Sequence, residues 1–138
     1  MTCATPDYLE RRDKPLHPHD LGQHHLIAFR NQRTGLVEPW RYRQGADTVR
    51  WPPVARTTLD DANAVHGAAL SGAGLIWAPR WLVAKSLRAG QLATVLDDWA
   101  GFEMEMSVIR RAQDHAPERV TKVVAFLKAN RTGFQVGE

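Results

Sequence analysis

Histidine is the first residue type in this chain with the capacity for chemistry. His17, His19, His24 and His25 fall within nine positions, and two more imidazoles follow at His66 and His115. A metal centre needs three or four converging ligands, usually with cysteine or carboxylate support. H-x-H and H-H spacings without that support read as a loop whose imidazoles are solvated or cap backbone groups, so neither a metal nor a cofactor is expected. His66 lies among Ala and Val at helical spacing and reads as a groove or surface position rather than a base. Cys3 has no evident base beside it in sequence. Ser71 sits in SGAG, which is not a strand-to-helix elbow of the G-x-S-x-G kind. The pairs Asp60-Asp61 and Asp97-Asp98 are adjacent, so their carboxylates point apart and suit capping better than acid–base work. Trp40, Trp51, Trp77, Trp81 and Trp99 could stack on a sugar, but they fall in different segments and read as core or interface. No reaction is specified, and the chain is read as a non-enzyme.

The stretch TTLDDANAVHGAALSGAGLIWAPRWLV, residues 57–83, contains glycines that resemble a phosphate cradle. Phosphate loops place glycines after a strand and before a helix, so that the helix N-terminus faces the anion. Here the order is reversed. Gly72 and Gly74 follow a helix and precede a strand, and both read as C-cap and turn residues with φ > 0. The end able to meet a ligand is the other one, around Leu59, Asp60 and Asp61.

Composition bounds the class. The chain has 138 residues, 43% apolar and 24% charged, which matches one soluble domain with a real core. No apolar run approaches the roughly 18 residues of a membrane span, so no membrane partner is expected. The start, MTCATPDYLERRDKP, is charged too early for a signal peptide. One cysteine excludes an internal disulfide and fits a reducing cytoplasm, the expected location. The net charge is +3, but Lys and Arg are scattered among acids without interleaved aromatics, so the surface reads as mixed and solvated.

These residues must be positioned by alternating short elements. TCAT reads as the end of a strand or connection, PDYLERRD as a short helix opened by Pro6, and Pro18 with Asp20 and Leu21 as a second. His25–Phe29 reads as a strand and NQRTG as a turn. Glu38–Tyr42 and TVRWPPVARTTL alternate around turns at Gly35 and Gly45. Asp60 or Asp61 caps a helix through Ala62, Val65, Ala68 and Ala69, GLIWAP is a buried strand, and Pro79 opens a helix closed by Gly90. QLATVLDDW is a strand with its exit. FEMEMSVIRR has strand alternation, Pro117 opens a last helix with Val120, Val123, Val124 and Leu127 on one side, and TGFQVGE is a frayed tail. Strands alternating with helices predict an α/β fold.

Read in order, the segments resemble the effector-binding domain of LysR-type transcriptional regulators. CATPDYLERRDKPLHPHDLGQHHLIAF is similar to the opening of that domain's second lobe, with Pro6, Tyr8, Leu9, Pro15, Pro18, Asp20, Leu21 and His24 on the pattern. TTLDDANAVHGAALSGAGLIWAPRWLVAKSLRAGQLATVLDDW resembles the later pattern of a capped helix, A-x-x-G-x-G-I, L-P-x-W-L-V and G-x-L-x-x-V-L. PERVTKVVAFLKAN is similar to the closing helix. The likeness runs from about residue 3 to 130, and its specificity lies in order and spacing rather than in one motif. Thr5 replaces the usual Ser, Asp13 a common Gly and Asp60 a frequent Asn. Arg110 and Arg111 stand where the family's strand ends in Tyr and Pro. These departures bear on ligand identity.

The resemblance implies a periplasmic-binding-protein-like (type 2) lobe, with a mixed sheet flanked by helices and an incomplete first lobe. It implies a second lobe over residues 3–99, a returning strand and helix of the first lobe over 100–130, and a flexible tail over 131–138. A small effector, a carboxylate or aromatic acid, would meet Phe29, Arg30, Asn31, Leu59, Asp60, Asp61, Ser107 and Val108. For each of these residues ordinary capping or packing is the competing role. Partners implied are the effector, a second copy of the chain in a dimer, and DNA only through a helix-turn-helix domain absent from these 138 residues. Two other readings stay open: a free-standing solute-binding protein of the same fold, and an orphan self-associating fragment.

Overall fold

A computed structural model describes residues 1–101, 109 and 117–130. The chain divides into two compact units, residues 1–102 and 103–138. The first unit holds a five-stranded mixed sheet in the order β5-β2-β6-β1-β7. Its strands are β1 (Thr2–Ala4), β2 (Leu26–Phe29), β5 (Thr57–Leu59), β6 (Leu75–Trp77) and β7 (Ala93–Val95). β5, β2 and β6 run parallel, and β1 pairs antiparallel with β6 and β7. A three-stranded antiparallel sheet is built from β3 (Trp40–Gln44), β4 (Asp47–Trp51) and β8 (Ala100–Gly101), in the order β4-β3-β8. The helices are α1 (Pro6–Arg11), a 3-10 helix (Pro18–Gln23), α2 (Ala62–Leu70) and α3 (Arg80–Arg88).

The central strands are apolar at consecutive positions because both faces of their sheet are covered. Period-two alternation still decides which side chain goes where. Ala4, Leu26 and Leu75 face one core, shared with Tyr8 and Leu9 of α1, Leu21 of the 3-10 helix, and Trp40 and Tyr42 of β3. Cys3, Ile27 and Ile76 face the other, with Val65 and Ala69 of α2 and Val83 of α3. Leu26, Leu75, Ile27 and Ile76 are at most 2% exposed, so each contributes about 2 kcal/mol through removal from water. The small sheet is covered on one side only. Trp40 and Tyr42 point inward while Arg41 and Arg43 point out, and the Tyr42 hydroxyl meets Thr2 Oγ1 at 2.7 Å in the interior. Burial of that phenol raises its pKa, and burial pushes the Cys3 thiol up to about 11, which leaves it an inert core side chain.

Local chemistry accounts for the element ends. Thr5 caps α1, its hydroxyl accepting from Tyr8 N at 3.3 Å, so it does the work of the Ser usual in the family pattern. Gly35, Gly45, Gly72 and Gly90 have positive φ, as turns and helix ends require. Gly74 does not, which corrects the turn role expected of it. It is needed because a Cβ there would overlap the carbonyl oxygen of His25 on the neighbouring strand. Two boundaries differ from expectation. β3 covers Trp40–Gln44 rather than starting at Glu38, because Glu38 N is drawn into a bond to Phe29 O at 2.9 Å. The TVRWPPVARTTL stretch is two strands, β4 and β5, separated by the Pro52-Pro53 break.

In the second unit, α4 (Glu118–Ala129) follows Pro117 as expected. None of its side chains is buried, and Val123 and Phe126 are more than half exposed. The strand expected in FEMEMSVIRR and the tail from residue 131 lie outside the described residues.

Two glycines separate backbone crowding from flexibility. Gly74→Ala is expected to destabilise the domain by about 2–3 kcal/mol, since backbone and not a flexible side chain must give way. Gly67→Ala, in the exposed interior of α2 with nothing within 4 Å of the new Cβ, is expected to stabilise by about 0.5–1 kcal/mol. Denaturant unfolding of the two variants checks both signs.

Candidate functional site

The carboxyl ends of β2 and β5 lie side by side, with Phe29 opposite Leu59 in parallel register. The ladder extends one step further through Arg30 N to Leu59 O at 2.8 Å. β5 runs on through Asp60 and Asp61 into α2, a nine-residue helix. Carboxyl ends of parallel strands beside a helix N-terminus are where open α/β sheets bind ligands. Phe29, Arg30, Asn31, Leu59, Asp60 and Asp61 are thereby brought to one ledge. Ser107 and Val108 lie outside the described residues.

The six residues do different things there. Asp61 is the N-cap of α2. Its Oδ1 accepts from Ala64 N at 2.8 Å, which decides between the two aspartates offered by the sequence. With that amide taken, the amides of Ala62 and Asn63 have no acceptor within the helix. Asp60 stays half-exposed, and its carboxylate stands 3.9 Å from Arg30 Nη2, also half-exposed. Asn31 builds the turn. Its Oδ1 accepts from Arg33 N and Thr34 N at 2.9 and 3.3 Å, and its Nδ2 donates to Glu38 Oε1 at 3.0 Å. Phe29 and Leu59 are partly buried against the core that α2 covers. Gln32, which sequence reasoning passed over, donates from Nε2 to Asp60 O at 3.0 Å and fastens the turn to the helix entry. No spacing rule links positions 28 residues apart. Two grooves on this unit, of about 350 and 500 Å³, are lined by other residues, the first by Val37, Pro39, Arg50, Pro52 and Pro53 and the second around Met1, Arg80, Leu92 and Asp97.

The histidines serve the fold. His17 caps the 3-10 helix, with Nδ1 accepting from His19 N at 3.2 Å. Its ring lies 4.8 Å from that of His19 and meets Trp99 edge-on at 4.7 Å. Asp20 closes the cap by accepting from His17 N at 2.8 Å and Leu16 N at 3.0 Å, and these amides hold its carboxyl below the usual range. His66 Nε2 lies 3.0 Å from Ser86 Oγ and links α2 to α3. His24 Nδ1 lies 3.4 Å from the Tyr8 hydroxyl, which also accepts from His25 N at 2.9 Å. His25 Nε2 faces two guanidiniums, Arg56 Nη1 at 2.9 Å and Arg12 Nη2 at 3.4 Å. Among the described residues no three His, Cys, Asp or Glu side chains are placed to share a metal ion.

Asp61→Ala is expected to cost about 1 kcal/mol and Asp61→Ser much less, while the exposed Asp60→Ala stays within about 0.5 kcal/mol. Urea midpoints check the order. Desolvation and then Arg12 depress the pKa of His24, and desolvation and then Arg12 and Arg56 depress that of His25, both from 6.5. The unfolded chain therefore takes up protons first as pH falls. Burial likewise depresses the pKa of the Met1 amino group from 8.0. Stability should therefore begin to decline below about pH 8, and the imidazoles add to the decline from about pH 6.5 until they also protonate in the folded state. Asp20 acts separately, below its ordinary value of 3.8. A series of urea midpoints between about pH 7.5 and 5.5 tests this, and His25→Gln should flatten the slope.

Comparison with known proteins agrees with this architecture. The family model described as the LysR substrate binding domain matches residues 1–132. An HTH-type transcriptional regulator of Xanthomonas campestris pv. campestris is 29% identical over 126 residues, covering 90% of this chain and 37% of that protein. YcaN of Escherichia coli, described as an uncharacterized HTH-type transcriptional regulator, is 35% identical over 106 residues, covering 74% and 34%. The chain thus spans little more than a third of the length of these relatives. The full-length structure of AphB, a virulence activator of Vibrio cholerae, superposes with a TM-score of 0.66 at 26% identity, covering 74% of this chain and 34% of AphB. The regulatory domain of AphB from Vibrio vulnificus gives 0.70 at 22%, covering 94% and 63%, a likeness of fold alone. The mixed sheet flanked by helices is the periplasmic-binding-protein-like arrangement of that domain. The chain belongs to the LysR substrate-binding domain family, the regulatory domain of LysR-type transcriptional regulators.

Proposed function

We propose that this domain is the effector sensor of a transcriptional regulator, and that a small organic acid, aliphatic or aromatic, binds on the ledge at the carboxyl ends of β2 and β5. One observation carries the reading. The Arg30 guanidinium stands at the exposed strand end, and among the described residues its ion pair is a long, half-exposed one to Asp60, next to the amides that open α2. An incoming carboxylate can replace Asp60 as the partner of Arg30 and accept from the amides of Ala62 and Asn63. Phe29 and Leu59 offer apolar surface to the rest of the acid. In the whole regulator, binding would shift the population of arrangements that hold DNA. Residues 3–99 are proposed as the second lobe and 100–130 as the return of the chain into the first. The protein is proposed to act in the cytoplasm, as a regulator rather than a catalyst.

Self-association through α4 is proposed alongside, because Val123 and Phe126 are exposed on a helix with no buried side chain. Light scattering should give twice the chain mass for the wild type, and the chain mass for Val123→Lys/Phe126→Lys. Equal masses would contradict this.

A thermal-shift panel of aliphatic and aromatic carboxylates tests the ledge. At least one acid should raise the melting temperature. Arg30→Gln should weaken its binding about tenfold or more, the worth of a charge-assisted hydrogen bond. Asp60→Asn should strengthen it, since a competing carboxylate is removed. Unchanged affinity in Arg30→Gln would refute the ledge as the acid's site.

A further inference from the structure

At the opposite, amino end of the same parallel strands lies a cluster that the effector reading does not use. His25 immediately precedes β2, Arg56 immediately precedes β5, and Arg12 follows α1 as its C-cap. Both guanidiniums converge on one atom, His25 Nε2, at 2.9 and 3.4 Å. A guanidinium only donates, so Nε2 must accept from both and the proton of the neutral ring must sit on Nδ1. Among the described residues neither Arg12 nor Arg56 has a carboxylate within 4.0 Å. Two cations thus share a neutral nitrogen, a place where an acidic group would ordinarily be found. The backbone around them is fixed. His25 N is held by the Tyr8 hydroxyl at 2.9 Å, and His25 O accepts from Leu75 N at 2.9 Å.

We propose that Arg12, Arg56 and His25 form a second ligand site, for a small tetrahedral oxyanion of the phosphate class, at the amino end of β2 and β5. Two guanidiniums that meet at one atom can both reach a single compact anion, each donating to a different oxygen. Asp13, next in sequence to Arg12, and Asp20 act electrostatically on the neighbouring His24. Carboxylates flanking the cluster repel an extended polyanion, which must pass them, more than a compact one. That favours a free ion or a phosphomonoester over a nucleic-acid backbone. Protonation of His25 would add a third cation, so the anion should bind more tightly as pH falls. The charged groups that act on this imidazole are Arg12 at the end of α1, Arg56 from the approach to β5 and the neighbouring His24.

The test is a thermal-shift and imidazole-nitrogen NMR titration of the whole chain, using inorganic phosphate, sulfate, phenyl phosphate and a short DNA duplex. All are compared with chloride at equal ionic strength. Phosphate and sulfate stabilise many proteins by exclusion from their surface, so the readout is the difference between wild type and variants. The wild type should gain a few degrees more than Arg12→Gln or Arg56→Gln, and the His25 nitrogen resonances should move in the wild type and stay put in those two variants. Arg88→Gln, in the last turn of α3 and in neither site, should keep the full effect. Equal shifts in all proteins, or an effect lost in Arg88→Gln and kept in Arg56→Gln, would overturn the site. Binding of the duplex without a response to inorganic phosphate would overturn its small-anion character.

Discussion

The peptide of His25 fixes the register on which the first unit depends. Its N–H is held by the Tyr8 hydroxyl, and its carbonyl takes the amide of Leu75. Gly74 allows β6 to come close enough for that second bond to form. Leu26 is then opposite Leu75 and Ile27 opposite Ile76. In a sheet covered on both faces, a slip of one residue would send each leucine into the space shaped for an isoleucine, and the reverse. The cores on the two sides of the sheet are both built on this one alignment.

The same alignment sets the two ends of the parallel strands. Because β2 and β5 are in register, Phe29 and Leu59 finish together, and the turn built by Asn31 and the entry to α2 lie side by side. At their start, His25 and Arg56 are brought together for the same reason. One end carries a helix N-terminus and an ion pair that is weak and open. The other carries two guanidiniums on a neutral imidazole. Polarity along the strands is thus a property of the pairing, and each end presents a distinct chemistry to solvent.

Much of this was legible in the residues. The starts of α1 and the 3-10 helix at Pro6 and Pro18, the buried strands LIAF and LIW, and the position of α2 all follow from local rules. So did the family, through the order and spacing of its segments. The reversed order of glycine, helix and strand reads SGAG as a helix end, and Gly72 has the positive φ expected there. Other features depend on distant partners and leave no local trace. Gly74 looks like any turn glycine until His25 is placed against it. Asp60 and Asp61 are equivalent candidates for the cap until the backbone turns one toward Ala64. Gln32 meets Asp60, and His25 meets Arg56, only because β2 and β5 pair. The four clustered histidines looked like one feature. They are separated by the paths of the 3-10 helix and β2 into a cap, a set of aromatic contacts and a strand anchor.

The central claim is that the carboxyl ends of β2 and β5 receive an organic acid. The most direct measurement is amide NMR on the 15.5 kDa chain, titrated with the carboxylate that raises its melting temperature most. The largest shifts should fall on Arg30, Asn31, Ala62 and Asn63, with little change at His25 and Arg56. Shifts concentrated elsewhere on the domain, with those four amides unmoved, would contradict the claim.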